Sequence, residues 1–177
     1  MNDRTLVDNY INHKSEKAFR QLYQAKTPRL YQMALRLTQD PTRSDDLIQE
    51  MWTVAARKLD DFKWQSELRT WLTGILINIY RTERRKEQKN NETDSEILIT
   101  TPAPPLDDDM HAVDLEKAIK SLPPGYRQSI ILHDIEGYKH KEIAEILDIT
   151  EGTSKSQLYY ARRAIREYFN NINPLKQ

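Results

Sequence analysis

The chain contains no cysteine, which excludes disulfides and thiolate metal sites and suits a reducing compartment. Glycine is nearly as scarce, with four among 177 residues. No glycine-rich phosphate loop and no nucleophile motif can be found. Scarce glycine beside abundant Leu, Ile, Ala, Glu, Lys, Arg and Gln predicts an all-α protein. Long apolar runs are also missing. None approaches membrane-spanning length, and the opening MNDRTLVDNY is too polar for a signal peptide, so a cytoplasmic protein without membrane insertion is expected. Net charge is absent too, 27 basic residues facing 27 acidic ones. Bulk electrostatics therefore gives no pull toward nucleic acid, and local distribution has to carry any such argument. The four histidines, His13, His111, His133 and His140, are scattered, and none has a metal-ligand spacing with another. His133 follows the apolar run Ile130 to Leu132 and reads as a satisfied, partly buried side chain. Neither an enzyme, a metal site nor a cofactor is expected.

The length allows one domain of moderate size or two small ones. Residues 3 to 88 are dense in helical periodicity. Ala18, Phe19, Leu22 and Tyr23, then Leu30, Tyr31, Ala34, Leu35 and Leu37, mark two apolar faces interrupted near Thr27 and Pro28. Ser44 is a candidate cap for the next helix, with Asp45 and Asp46 against its N-terminal dipole. That helix reaches about Leu59. The segment Asp60 to Gln65 breaks the pattern, and Ser66 is a candidate cap for a long helix through Trp71, Leu72, Ile75 and Ile79. It ends in the basic stretch Arg81, Arg84, Arg85, Lys86 and Lys89. From about Asn90 to Asp109 the stretch NNETDSEILITTPAPPLDDD is polar, acidic and proline-bearing, as in a flexible linker. Helical pattern resumes at His111 or Ala112, with Leu115, Ala118, Ile119 and Leu122 on one face. Pro123 and Pro124 start another helix, which Gly137 stops. No internal repeat is present.

The stretch Glu142 to Phe169, EIAEILDITEGTSKSQLYYARRAIREYF, has the pattern of a helix-turn-helix. Ile143, Ala144 and Leu147 share one face of a short helix. Asp148, Ile149 and Thr150 form a tight turn. Asp148 stands at its left-handed position, which few residues besides glycine and asparagine tolerate. Leu158, Ala161 and Ile165 point inward from the second helix. Thr153, Ser156, Tyr159, Tyr160 and Arg163 are left outside, where such a helix meets a major groove.

Taken together, the chain resembles a bacterial RNA polymerase sigma factor of the extracytoplasmic-function type. Three stretches carry the resemblance, in order: SDDLIQEMWTVAARKL from Ser44, ELRTWLTGILINIYRTERRK from Glu67, and LEKAIKSLPPGYRQSIILHDIEGYKHKEIAEILDITEGTSKSQLYYARRAIRE from Leu115. It implies two small helical domains. Residues 1–89 would bind core polymerase and melt the promoter −10 element. Residues 111–177 would read the −35 element, and residues 90–110 would link the two. By that resemblance Asp45, Asp46, Gln49 and Glu50 form a polar ridge for the β′ clamp helices, and the β flap is a further polymerase contact. The loop Phe62, Lys63, Trp64, Gln65 and Ser66 would capture a flipped base, aided by Asn78. Arg81, Arg84 and Arg85 would hold phosphates. Thr153, Lys155, Ser156, Tyr159, Tyr160 and Arg163 would face the −35 duplex. Trp71 reads as a core residue anchoring its helix. An anti-sigma factor is a further partner implied by the family, and promoter DNA is the shared one.

The chain departs from the family pattern at several places. Ile77 and Thr82 stand where arginine and aspartate are common, Gln157 and Tyr160 where arginines are often found, and Ser154 where valine is usual. The acidic triplet Asp107 to Asp109 could imitate nucleic acid in a basic channel. The alternative reading is a helix-turn-helix regulator that acts without being a polymerase subunit. It leaves the tryptophan- and arginine-bearing helix at 67–86 without a purpose.

Overall fold

The computed structural model describes residues 2–91 and 111–172, and every element among them is helical. Most of the expected linker, including the triplet Asp107 to Asp109, lies outside the described residues. The chain divides into two compact units, one built on residues 1–81, with which residues 145–148 are grouped, and the other on residues 82–144 and 149–177.

In the first unit α1 spans Asp3–His13, α2 Glu16–Thr38 and α3 Pro41–Lys58, followed by a 3₁₀ turn at Leu59–Asp61. The long helix α4, Leu68–Asn91, starts in this unit. Asn2, Ser15 and Asp40 cap the first three helices through side-chain oxygens that accept from Thr5, Ala18 and Arg43 backbone N–H groups. Lys14 and Gln39 close α1 and α2 in the left-handed conformation, φ 48° and 60°, the usual geometry just past a helix end.

Two expectations need correction here. The apolar faces flanking Pro28 belong to one helix, since α2 runs through Pro28. The proline removes one backbone donor, but Leu22, Leu30, Met33, Ala34 and Leu37 are buried along the same helix and hold it together on both sides. Ser44 is not a cap. Pro41 occupies the first turn, where its missing N–H costs nothing, and Asp40 caps. Ser44 is instead fully buried one turn in, its hydroxyl donating to the Asp40 carbonyl at 2.7 Å and lying 2.7 Å from the Thr38 hydroxyl. Those bonds lock the α2–α3 corner.

The core of this unit gathers Leu22, Met33, Leu37, Leu47, Met51, Leu72, Leu76 and Tyr80. The Tyr80 phenol donates to the Leu37 carbonyl at 3.0 Å, satisfying a group at the C-terminal end of α2. Trp52 sits between Phe19 and Tyr23, ring centroids 5.5 and 5.3 Å away, and its indole N–H donates to Thr27 at 2.9 Å.

In the second unit α5 spans His111–Ser121, α6 Pro124–Ile130 with a π-helical turn at Ile131–Ile135, α7 His140–Leu147 and α8 Glu151–Ile172. Ala118, Ile119, Leu122, Ile131, Leu132, Ile143, Leu158 and Ala161 are buried there. Arg127 donates to the Lys120 and Leu122 carbonyls at 2.7 and 2.9 Å, closing the end of α5. Gly137 has φ 78° and Asp148 φ 53°, so both stops fall at the residues whose chemistry tolerates the left-handed region. The α7–α8 pair is the expected helix-turn-helix.

Candidate functional site

On α3 the four ridge residues, Asp45, Asp46, Gln49 and Glu50, are all exposed. They are separated by three- and four-residue steps and so share one face. The opposite face carries Leu47, Ile48, Met51, Trp52 and Ala55, all buried. The fold is thus secured by one side of α3, and the acidic side is left exposed.

The segment between α3 and α4 brings three aromatic rings into one row. Phe62 lies 4.8 Å from Trp64 and 5.0 Å from Trp71, centroid to centroid. Trp64 is half-buried and has φ 56°, a region that bulky residues rarely enter. Its ring carries the Arg4 guanidinium at 5.6 Å. Trp71 is half-buried, packing on Phe62 from the first turn of α4. Lys63 and Gln65 are exposed, and Ser66 is half-buried. The Ser66 hydroxyl donates to the Glu67 carbonyl at 3.4 Å, while that carbonyl accepts the first helical bond, from Trp71, at 3.1 Å. Glu67, rather than the expected Ser66, therefore occupies the capping position of α4.

Along α4 the residues Trp71, Asn78, Arg81 and Arg85 follow one another on one stripe by helical spacing, with Asn78 and Arg85 exposed and Arg81 half-buried. Arg84 falls off that stripe, on the side of Ile77 and Tyr80, and is half-buried. Ile77, where the family commonly has arginine, is fully buried.

Helix α8 starts from Thr150, whose hydroxyl accepts the Thr153 N–H at 3.0 Å. Thr153 is half-buried and its own hydroxyl lies 2.9 Å from that of Thr150, so it is tied into the cap. Ser156, Tyr159, Tyr160 and Arg163 occupy the outermost face, all exposed. Lys155, also exposed, lies at the flank with Arg162 and Arg166 by helical spacing. Arg162 is held within the protein. It forms a two-pronged pair with Asp134, Nε to Oδ2 at 2.9 Å and Nη2 to Oδ1 at 2.6 Å. Arg163 is the partner of Glu167, at 2.8 Å. Gln157 turns inward, accepting from the Ser129 hydroxyl at 2.8 Å. The two units thus offer three separate surfaces: the ridge, the aromatic and arginine row, and the outer face of α8.

Two features escaped the sequence reading. Tyr126, at the start of α6, stacks on Tyr160 with centroids 6.0 Å apart and planes at 19°. And His133 meets His140, rings 4.7 Å apart, although they are distant in spacing. His133 Nδ1 lies 2.7 Å from Asp134, and His140 Nδ1 lies 2.9 Å from the hydroxyl of Ser154, which is fully buried. Ser154 therefore supplies a polar tie between α7 and α8 where the family's valine would supply apolar contact. No signal in the sequence pairs residues across elements in this way. Among the described residues no group of three or more metal-ligating side chains gathers at this place or elsewhere.

The surroundings of His140 make stability depend on pH. Burial holds the His140 pKa below its ordinary 6.5, helped by His133, Lys155 and Arg162 and opposed by Glu151. Its neutral form is thus favoured in the folded state, so its contribution is complete above 6.5 and is lost as pH falls from there toward the lower folded value. Asp134 is held below 3.8, chiefly by the hydrogen bonds from Arg162, so its contribution is lost only below that value. Denaturation of the full chain, followed by circular dichroism at stepped pH, should show stability falling on acidification just below 6.5. In His140→Gln, which can still meet Ser154, that step should be smaller and the loss at strongly acid pH should remain.

Residues 22–90 match the family described as Sigma-70 region 2, and residues 112–165 match Sigma-70, region 4. The ECF RNA polymerase sigma-E factor of Escherichia coli (strain K12) is 30% identical over 193 residues, covering 99% of this chain and 96% of that protein. The ECF RNA polymerase sigma factor SigE of Mycolicibacterium smegmatis is 28% identical over 84% of this chain, which spans 60% of the length of that relative. Among solved structures, one from the complex of the sigma factor RpoE with the anti-sigma factor NepR, from Bartonella quintana, has a TM-score of 0.70 at 27% identity, covering 91% of this chain and 99% of that one. The fold is that of a sigma factor with regions 2 and 4. The chain belongs to the extracytoplasmic-function (ECF) family of RNA polymerase sigma factors.

Proposed function

We infer that this chain works as an alternative sigma factor: it joins core RNA polymerase and directs transcription from its own set of promoters. One observation carries the reading. An exposed acidic ridge, an aromatic loop leading into an arginine-bearing helix, and a helix-turn-helix with an open outer face follow in the order of the matched regions 2 and 4. As a regulatory subunit it has no catalytic role of its own, and it acts in the cytoplasm. No helix among the described residues is long and apolar enough to cross a membrane.

Roles follow from chemistry. Asp45, Asp46, Gln49 and Glu50 dock on basic clamp helices of the β′ subunit. Phe62 to Ser66 receives an unstacked −10 base, for which a side-chain ring is worth about 1–3 kcal/mol, with Asn78 hydrogen bonding and Arg81, Arg84 and Arg85 at phosphates. Thr153, Lys155, Ser156, Tyr159, Tyr160 and Arg163 face the −35 major groove. Residues 1–89 and 111–177 act as the two working domains, joined through residues 90–110. The groove of about 710 Å³ beside α5, α6 and α8, floored by Ile119, Ile130 and Leu158 and edged by Arg166, suits the polymerase β flap. An anti-sigma partner is in keeping with the complex known for the Bartonella relative.

The test is transcription in vitro on genomic fragments with purified core polymerase, with and without the chain, followed by footprinting. New start sites that need both components, with −35 and −10 protection, are expected. An equal footprint by the chain alone would favour the operator-binding regulator. In the same assay Lys155→Ala should weaken promoter binding evenly across −35 variants and reduce the salt slope by about 1, since an ammonium contacts phosphate as a point charge.

A further inference from the structure

Most polar groups on and beside the outer face of α8 are already engaged within the protein. Ser156 donates to the Thr153 carbonyl at 3.0 Å, Arg163 to Glu167 at 2.8 Å, and Gln157 accepts from Ser129 at 2.8 Å. What remains open at its centre is aromatic: Tyr159 is 59% and Tyr160 47% exposed. Their rings touch edge to face, 5.4 Å apart at 79°. Tyr160 is in turn stacked on Tyr126 of α6. Close approach of α6 to α8 is permitted by Gly125, where a Cβ would stand 3.2 Å from the Gln157 amide nitrogen.

An exposed tyrosine on a helix ordinarily samples several rotamers. Here stacking on Tyr126 and an edge-to-face contact with Tyr159 restrain the Tyr160 ring, and each such pair is favourable beyond the area it covers. A fixed ring of this kind cannot make the two-pronged hydrogen bond that arginine makes to guanine. It offers a flat apolar surface with a single hydroxyl at its rim. In the major groove the base that presents a matching pair, a methyl group beside one acceptor, is thymine.

We propose that Tyr159 and Tyr160 read thymine C5-methyl groups in the −35 element, and that Tyr126 is the positioning residue that holds Tyr160 in the reading geometry. This rests on the inference that α8 faces the −35 duplex. It adds the base and the chemical group that are read, and gives a specificity role to a residue outside the helix-turn-helix.

The experiment uses the full chain with core polymerase and a promoter found by the transcription assay. Each thymine of the −35 element, on both strands, is replaced singly by deoxyuridine, which removes only the methyl. At one or two positions the wild type should bind about fourfold more weakly, the value of one buried methyl. Tyr160→Ala should be indifferent to uracil at one of those positions, and Tyr159→Ala at the other where there are two. Tyr126→Leu should lose most of the discrimination, while Tyr126→Phe, which keeps the stack, should retain it. Melting of each variant followed by circular dichroism separates loss of discrimination from loss of fold. Indifference of the wild type to every methyl, a −35 element without thymine, or full discrimination in Tyr126→Leu overturns the proposal. If scrambling the −35 element still weakens binding in that event, methyl reading alone has failed. If scrambling has no effect either, the placement of α8 on that element fails with it.

Discussion

Asp46→Lys combined with Glu50→Lys should weaken binding of the chain to core RNA polymerase by more than about tenfold while leaving its helical content unchanged. Both carboxylates are exposed on α3, one turn apart on the same face. Neither takes part in an ion pair or side-chain hydrogen bond with another described residue. Reversal therefore breaks no contact within the fold, whose share of α3 is the buried row Leu47, Met51 and Ala55. Against a basic partner, each substitution exchanges an attraction for a repulsion. Losing a desolvated interfacial charge pair costs about 2–5 kcal/mol, so even the low end exceeds a tenfold change. Titration of labelled chain against core enzyme at two salt concentrations reads both parts of the claim. The affinity should drop, and the salt dependence of the wild type, set by opposite charges, should shrink in the double variant. Equal affinity would remove the ridge from the interface.

Secondary structure was legible wherever apolar spacing was long and regular. The face of α2 could be read from Leu22 to Leu37, because burial of one stripe is what makes a helix stable, whereas on α4 the expected row Trp71, Leu72, Ile75 and Ile79 is only partly right, since Leu72 is buried with Leu76 and Tyr80 and the other three are half-buried. Helix ends were less legible. Pro28 suggests a break and Ser44 a cap when residue type alone is weighed. Tertiary contact overrides the first: α2 is held on both sides of the proline by side chains that all reach one core. The second fails because Asp40 and Pro41, four and three positions earlier, already supply a cap and a first turn, leaving Ser44 as a buried corner bond. Asp148 was legible because left-handed backbone limits residue choice. Trp64 was not, because tryptophan carries no such signal.

The candidate surfaces divide in the same way. The ridge of α3 and the outer face of α8 follow from helical spacing, and the described residues expose both. Residue pairs across elements do not follow from it. Tyr126 with Tyr160, Asp134 with Arg162, and His133 with His140 are joined only when α6, α7 and α8 pack together. The family pattern also misplaces emphasis where one residue replaces another. Gln157 stands at a position where the family often uses arginine, yet here it faces Ser129 and serves packing. That leaves the tyrosines as the open chemistry of the helix.

Trp64→Gly should reduce opening of the −10 region by about tenfold or more, a larger effect than its loss of stability accounts for. Trp64 holds φ 56° with a bulky side chain, a conformation costing roughly 1–2 kcal/mol that glycine adopts freely. The ring recovers part of that through Phe62, 4.8 Å away, and the Arg4 cation at 5.6 Å. Such interactions are worth about 0.5–1.5 and 0.5–1 kcal/mol respectively. Glycine relieves that strain but gives up the ring contacts and the apolar area that the half-buried indole covers, so Trp64→Gly should melt somewhat below the wild type. Trp64→Ala gives up the same attraction and keeps the strain, and should be the less stable of the two. For the melted promoter both variants lack the ring on which an unstacked base would rest, a loss of about 1–3 kcal/mol. Permanganate reactivity of −10 thymines in complexes of core enzyme with each variant measures opening. Calorimetry of the free chain measures stability. The strain is then maintained for the ring's sake, as backbone outliers at working sites often are. Normal opening by Trp64→Gly would assign the ring to packing and move base capture to Phe62 or Trp71.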